Sequence, residues 1–229
     1  MKKIKVTIPD SLDEISISKF KQINEILETD TDDLDKSFQL IQVITNIDVN
    51  QIMKISEASM LKLGAAIQVM FQNEFTGELS KQFKDYKPID FEKMSLGKFV
   101  DMHQLLQNKY ENANYILTQY FDTQEIYNGL NYEDSDKFNS FPAGAFIKIF
   151  EHIAKFYHET FEHYGLLNNE PSSEIKSDQS AFQNKWGYYI LIANLAQNDV
   201  LKIDDVTKLN FREALTFNKY SQDYAKVNR

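Results

Sequence analysis

The sequence predicts a mainly α-helical protein, a multi-helix domain with a minor two-stranded β-sheet. Three observations predict it. Apolar residues recur at helical spacing over most of the chain. Glycine and proline are scarce, 7 and 4 in 229 residues, too few turn formers for an all-β sandwich or barrel. The chain also echoes itself. Asp13-Glu14-Ile15-Ser16-Ile17-Ser18-Lys19-Phe20 opens one apolar periodic run, and Glu92-Lys93-Met94-Ser95-Leu96-Gly97-Lys98-Phe99 opens another. Each follows an extended stretch that ends in proline and aspartate. The unit reads as strand, turn, capped helix.

The elements follow in order. Lys3 to Ile8 alternates charge with Ile4, Val6 and Ile8, the pattern of a half-buried strand. Its expected partner is Lys84–Ile89, the lead-in to the second copy. Ser16 to Leu27 is a helix with Phe20, Ile23 and Ile26 on one stripe. The acidic stretch Glu28 to Asp35 lacks the glycine and closing glutamate of a calcium loop. It reads as a solvated loop leading to a helix start, where the dipole favours carboxylates. Helices are expected over Leu34–Ile47 and Glu57–Phe75, with a helical turn in Asp48–Ser56 and a cap at Gly77. Ser95 caps a helix over Leu96–Lys109, and Asn112–Phe121 is another. Asp122 to Ser140 reads as loop.

Pro142 begins the longest periodic segment. Phe146, Ile149/Phe150, Ile153, Phe156/Tyr157, Phe161 and Tyr164 form one stripe, closed by Gly165. At 1.5 Å per residue this helix is roughly 35 Å long, and it is the expected core. Asn168 to Gln179 is polar and aperiodic, a linker. The expected division is a helical core over 1–167, the linker 168–179, and a helical subdomain over 180–229 packed on that core. Within the latter, Phe182–Ala196 and Asp204–Leu209 are helical, Val200–Ile203 is strand-like, and Asn210 starts a final helix to about Ala225. Isolated Gly64, Gly97, Gly144 and Gly187 are expected where helices approach closely or, for Gly97, at a cap.

Composition excludes several functions. There is no cysteine, so disulfides, thiolate nucleophiles and Cys-ligated zinc are absent. The net charge is −9, and Arg212 and Arg229 are the sole arginines. A nucleic-acid binder needs a basic stripe, so direct sequence-specific nucleic-acid binding is not expected. No apolar run reaches the length of a membrane span, and the N-terminus has no signal-peptide core.

The candidate chemistry is thin. His152, His158 and His163 lie near Glu151, Glu159 and Glu162, and a helical metalloprotein built on them is one alternative. The spacing argues against it. His158 and His163 point roughly 140° apart on a helix, and no E-x-x-H pair is present. No Gly-x-Ser-x-Gly or phosphate loop occurs. Neither metal, cofactor nor catalytic residue is expected, and the chain reads as a non-enzyme. The excess of Phe and Tyr, 17 and 12 against one Trp, instead suggests protein–protein contacts. Phe138, Phe141 and Phe182 stand outside clear stripes. Trp186, Phe211, Arg212, Tyr220 and Tyr224, in the tail that carries the Trp and both arginines, are the candidate partner-binding residues.

The segments Phe91-Glu92-Lys93-Met94-Ser95-Leu96-Gly97-Lys98-Phe99-Val100-Asp101-Met102, Phe141-Pro142-Ala143-Gly144-Ala145-Phe146, Trp186-Gly187-Tyr188-Tyr189 and Leu195-Ala196-Gln197-Asn198-Asp199, with the helix after Asn210, resemble small helical proteins encoded among tailed-bacteriophage structural genes. The resemblance spans roughly residues 3 to 224, and the first repeat departs from it with Ser18 where the second has Gly97. It implies a virion structural or assembly protein of the neck, tail or packaged contents, present in the virion and, during assembly, in the host cytoplasm. Its partners would be other phage structural proteins, and itself as a homo-oligomer. A tail-assembly chaperone absent from the mature particle is the alternative. The resemblance supplies no catalytic residues.

Overall fold

The computed structural model describes residues 6–73, 84–122, 129–130, 132, 135–166 and 177–228. The described residues are mainly helical. The helices are α1 (Ile17–Glu28), α2 (Asp33–Thr45), α3 (Val49–Ile52), α4 (Glu57–Gln72), α5 (Leu96–Gln107), α6 (Ala113–Tyr120), α7 (Ala143–Tyr164), α8 (Ser177–Leu195), α9 (Ile203–Lys208) and α10 (Phe211–Val227). Single 3-10 turns cover Leu12–Glu14, Phe91–Lys93, Ser135–Ser140 and Val200–Lys202.

The expected two-stranded sheet is not found among the described residues. No strand occurs among the described residues. Residues 6–9 and 86–90 are irregular, while Met1–Lys5 lie outside the described residues. The physical reason is visible at Ile89. Its amide donates to the Tyr120 carbonyl at the end of α6, 2.7 Å away, so this extended stretch satisfies a helix-terminal acceptor instead of a strand. A two-stranded ribbon alone would be marginal in any case. Val200–Lys202, read as strand-like, is a 3-10 turn capped by Asp199. Ser135–Ser140, read as loop, is a 3-10 turn as well. The expected Gly77 cap lies outside the described residues. A Cβ at Gly64 or Gly187 would meet nothing within 4 Å, so neither glycine marks a close helix approach.

The chain forms two compact units: Met1–Tyr86, Asn108–Thr118 and Tyr132–Glu151 in the first; Lys87–Gln107, Gln119–Asn131 and His152–Arg229 in the second. Residues 180–229 therefore share a unit with α5. Of the linker stretch, 167–176 lie outside the described residues, and Ser177 already opens α8.

In the first unit the Ser11 hydroxyl accepts from the Asp13 amide, and the Ser16 hydroxyl caps α1 by accepting from the Lys19 amide. The first amide of α1, Ile17, donates to the Phe141 carbonyl at 2.8 Å. The first amide of α7, Ala143, donates to the Ile15 carbonyl at 2.7 Å. Two helix starts thus satisfy one another's orphan donors. Asp32 caps α2 by accepting from Leu34 and Asp35, so the acidic stretch ends in a helix cap. Ile15, Ile17, Phe20, Ile23, Ile41 and Phe146 are buried.

In the second unit the same device recurs. Asp90 accepts from the Glu92 amide, and the Ser95 hydroxyl accepts from Lys98. The first amide of α5, Leu96, donates to the Leu209 carbonyl at 2.7 Å, and the first amide of α10, Phe211, donates to the Met94 carbonyl at 3.1 Å. Even the turn before each partner helix matches: Phe141 donates to the Phe138 carbonyl, and Leu209 to that of Val206. Met94, Leu96, Phe99 and Met102 are buried where Ile15, Ile17, Phe20 and Ile23 are in the first unit. The echo in the sequence is thus one packing module built twice. It is carried by turn, cap and bridge rather than by strands. Gly97 is buried whereas Ser18 is exposed, which accounts for the one divergent position.

Helix α7 ends as expected, with Gly165 at φ +69°. Its Phe146, Ile149, Ile153 and Tyr157 are buried, whereas Phe150 and Phe156 are half-buried.

Candidate functional site

The five candidate contact residues separate into two kinds. Phe211 is not available to a partner. It is fully buried and lies parallel to Phe99, with ring centroids 4.8 Å apart. Arg212 is half-buried and pairs with Glu92 at 2.6 Å. It braces the start of α10, together with Asn210, whose side-chain amide donates to the Glu92 carbonyl. Tyr220 and Tyr224 are 61% and 59% exposed. Trp186 is 39% exposed and meets the exposed Tyr189 edge-on at 5.6 Å. Phe138, a further candidate, is buried, Phe141 is half-buried, and the Phe182 side chain lies outside the described residues.

The division follows from how α10 is seated. Its first turns bury Phe211, Ala214 and Leu215. Tyr164 reaches Thr216 at 3.3 Å, and Lys219 reaches the His163 carbonyl at 3.2 Å. From Tyr220 to Asn228 every residue is exposed. Phe217, Tyr220 and Tyr224 form a ladder of exposed rings with centroids 6.4 and 6.0 Å apart, and Val227 continues it at 84% exposure. The tail is therefore core at its start and free surface at its end.

The histidines do not assemble a metal centre. His152, His158 and His163 are exposed, and His152 lies 3.2 Å from the Tyr120 hydroxyl with Phe91 edge-on to its ring. Among the described residues no group of three or more His, Asp or Glu could hold a metal ion.

The sequence reading passed over the fourth histidine. His103 falls on the inward stripe of α5, one turn after Phe99, and that spacing is the signal that could have found it. Tyr157, Phe161 and Tyr188 surround its ring, at 5.1, 4.9 and 5.5 Å. Its Nδ1 lies 2.8 Å from the Tyr188 hydroxyl. A neutral imidazole with its proton on Nε2 accepts that hydroxyl's hydrogen, and one with its proton on Nδ1 donates to the hydroxyl oxygen. Burial lowers the His103 pKa and pushes both tyrosine hydroxyls above their ordinary range. Tyr157 donates to the Phe99 carbonyl at 2.6 Å. The cluster ties α8 and α7 to α5.

The His103 shift carries a pH prediction. A depressed native pKa means that the unfolded chain takes up its proton first, near the ordinary value of about 6.5. The stability contribution is full above that pH and falls below it. Burial raises the Asp101 carboxyl, which acts in the opposite sense, since the folded chain then takes up that proton first as pH falls. Urea unfolding at pH 7.5 and 5.5 should show a larger acid loss for the natural chain than for His103→Gln. Equal losses in the two chains would show that His103 is not the group responsible.

Comparison of the chain with protein-family models, with curated proteins and with solved structures finds no match.

Proposed function

We propose that this is a non-enzymatic assembly protein that works through protein–protein contacts made by the free end of its C-terminal helix. The observation that carries this reading is the aromatic ladder Phe217, Tyr220 and Tyr224, continued by Val227, on a helical stretch that its own unit leaves in solvent. Aromatic side chains bury a large area for few rotatable bonds and dominate interface energetics. The exposed Trp186–Tyr189 pair on α8 supplies a second aromatic contact. Among the described residues no helix is long and apolar enough to cross a membrane, so the exposed apolar side chains are not explained by a bilayer span.

The resemblance of the Phe91–Met102, Phe141–Phe146, Trp186–Tyr189 and Leu195–Asp199 segments to tailed-phage structural proteins gives the setting. The partners are other components of the particle, and the chain acts in the neck, tail or packaged contents of the virion after assembly in the host cytoplasm. A tail-assembly chaperone would use the same surface and leave before the particle is complete.

The test is a chain ending after Lys219. Removing all of 180–229 would strip Phe211, Ala214 and Leu215 from the core and report on folding instead of binding. Among the described residues the shorter truncation removes only exposed ones, Tyr220 to Asn228. It is expected to melt like the full chain and to be lost from purified particles by tenfold or more, as read by mass spectrometry. Undiminished incorporation would refute the contact role of this helix end. A full chain that is required for particle formation yet missing from finished particles would select the chaperone role.

A further inference from the structure

The exposed ladder on α10 has the spacing of a helical seam. Phe217, Tyr220, Tyr224 and Val227 follow one another at intervals of three, four and three residues. That is the 3.5-residue repeat of a coiled-coil seam, narrower than the stripe with which a helix packs on a globular core. The stretch that bears it has little else to hold it. From Tyr220 onward every residue of the helix up to Asn228 is exposed, and a helical segment this short is marginal in water without tertiary contacts. A second helix laid on the seam would stabilise it.

The seam is also symmetric about Gln222. Phe217 and Val227 are equally far from it, as are Tyr220 and Tyr224. Two-fold pairing demands a self-complementary patch, and this is one. In an antiparallel pair Phe217 of each copy sits opposite the partner's Val227, and Tyr220 opposite the partner's Tyr224. The seam is flanked by Thr216, Ser221, Asp223 and Asn228. The one charged group among them, the Asp223 carboxylate, lies one residue from the pairing centre, so the antiparallel register brings the Asp223 side chains of the two copies near one another, each already paired with its own Lys226 at 3.1 Å. The chain as a whole carries −9, so two copies repel over most of their surface. In α10 Arg212, Lys219 and Lys226 outnumber Glu213 and Asp223, so this helix is a place where two copies of an acidic chain approach at low electrostatic cost.

We propose that the occupant of this seam is a second copy of the chain, joined through antiparallel pairing of the two α10 ends about Gln222. The proposal rests on the contact role of this helix end and names its first partner.

Sedimentation of the full chain over a concentration series tests it. The natural chain should run as a dimer. The Tyr220→Ser/Tyr224→Ser chain should run as a monomer while its thermal melt of the body is unchanged. The register is read separately, because the chain has no cysteine of its own. Under oxidation a mixture of Tyr220→Cys and Tyr224→Cys chains should form the mixed disulfide in preference to either self-disulfide. A natural chain that stays monomeric at every concentration overturns the proposal, as does a dimer that survives the double substitution. Preferential self-disulfides overturn the antiparallel register. A monomeric chain that still needs its residues after Lys219 to enter particles would refute the dimer alone. A seam dimer whose truncated form still enters particles would refute the wider contact reading alone.

Discussion

Phe99→Ala is expected to destabilise the protein by about 3–5 kcal/mol, the usual cost of emptying a buried aromatic site. Phe99 is 0% exposed. It lies parallel to Phe211 at 4.8 Å, meets Phe161 edge-on at 6.1 Å and tilts against Tyr157 at 4.7 Å. No single neighbour can swing in to refill the space, because each is held elsewhere. Phe211 belongs to the bridged start of α10, and the Tyr157 hydroxyl is bonded to the Phe99 carbonyl. Phe211→Ala should cost a similar amount. The double variant should fall short of the sum, since the two rings share one contact and would leave one shared cavity. Urea unfolding of the three chains measures this. A loss below about 1 kcal/mol for Phe99→Ala would mean that the second unit has its core elsewhere.

Asp122→Ala is expected to cost about 3–5 kcal/mol, whereas Lys98→Met should change stability by no more than about 1 kcal/mol. The asymmetry follows from burial. Lys98 is 5% exposed. Its ammonium donates to the Asp122 carboxylate at 3.0 Å and to the Asp122 carbonyl at 2.6 Å. Burial lowers its pKa, and the Asp122 carboxylate opposes that shift without cancelling it. A lysine with a depressed native pKa is less favourable to folding below its ordinary pKa than above it, so at neutral pH the charged form is a cost. Removing Asp122 leaves that charge buried with one carbonyl. Replacing Lys98 with an apolar side chain of similar length removes the charge itself, and Asp122, with its side chain 16% exposed, keeps access to water. Unfolding free energies at pH 7 decide it. A natural-like Asp122→Ala chain, or a Lys98→Met chain that falls as far, would contradict the account.

What was legible in the sequence was local. Helix positions, the cap at Ser95, the helix start at Asn210 and the stop at Gly165 depend on residues a few positions apart. The repeat was legible for the same reason, since its turn and cap occupy one short stretch. Its other half was not. The pairing of Ser16 with Pro142, and of Ser95 with Asn210, joins distant segments through backbone groups that every residue carries, so no side-chain pattern announces it. The lead-in stretches looked like strands because alternation records only that one side is apolar; Ile89 shows that a helix end can satisfy such a stretch. The tail was half legible. Its residue types suggested an interface, but spacing alone did not separate Phe211, which faces the core, from Tyr220 and Tyr224, which do not. His103 stayed hidden because its partners Tyr157 and Tyr188 lie on other helices.

The proposed contact surface is the free end of α10. The most direct measurement compares particles assembled in the presence of the natural chain, the Tyr220→Ser/Tyr224→Ser chain and a core control, Phe99→Ala, with the soluble folded fraction of each quantified alongside. The account predicts that the double substitution leaves the folded fraction intact and removes the chain from particles or blocks their assembly, whereas the core control fails in proportion to its loss of folded protein. Normal incorporation and normal assembly with the double substitution would contradict it.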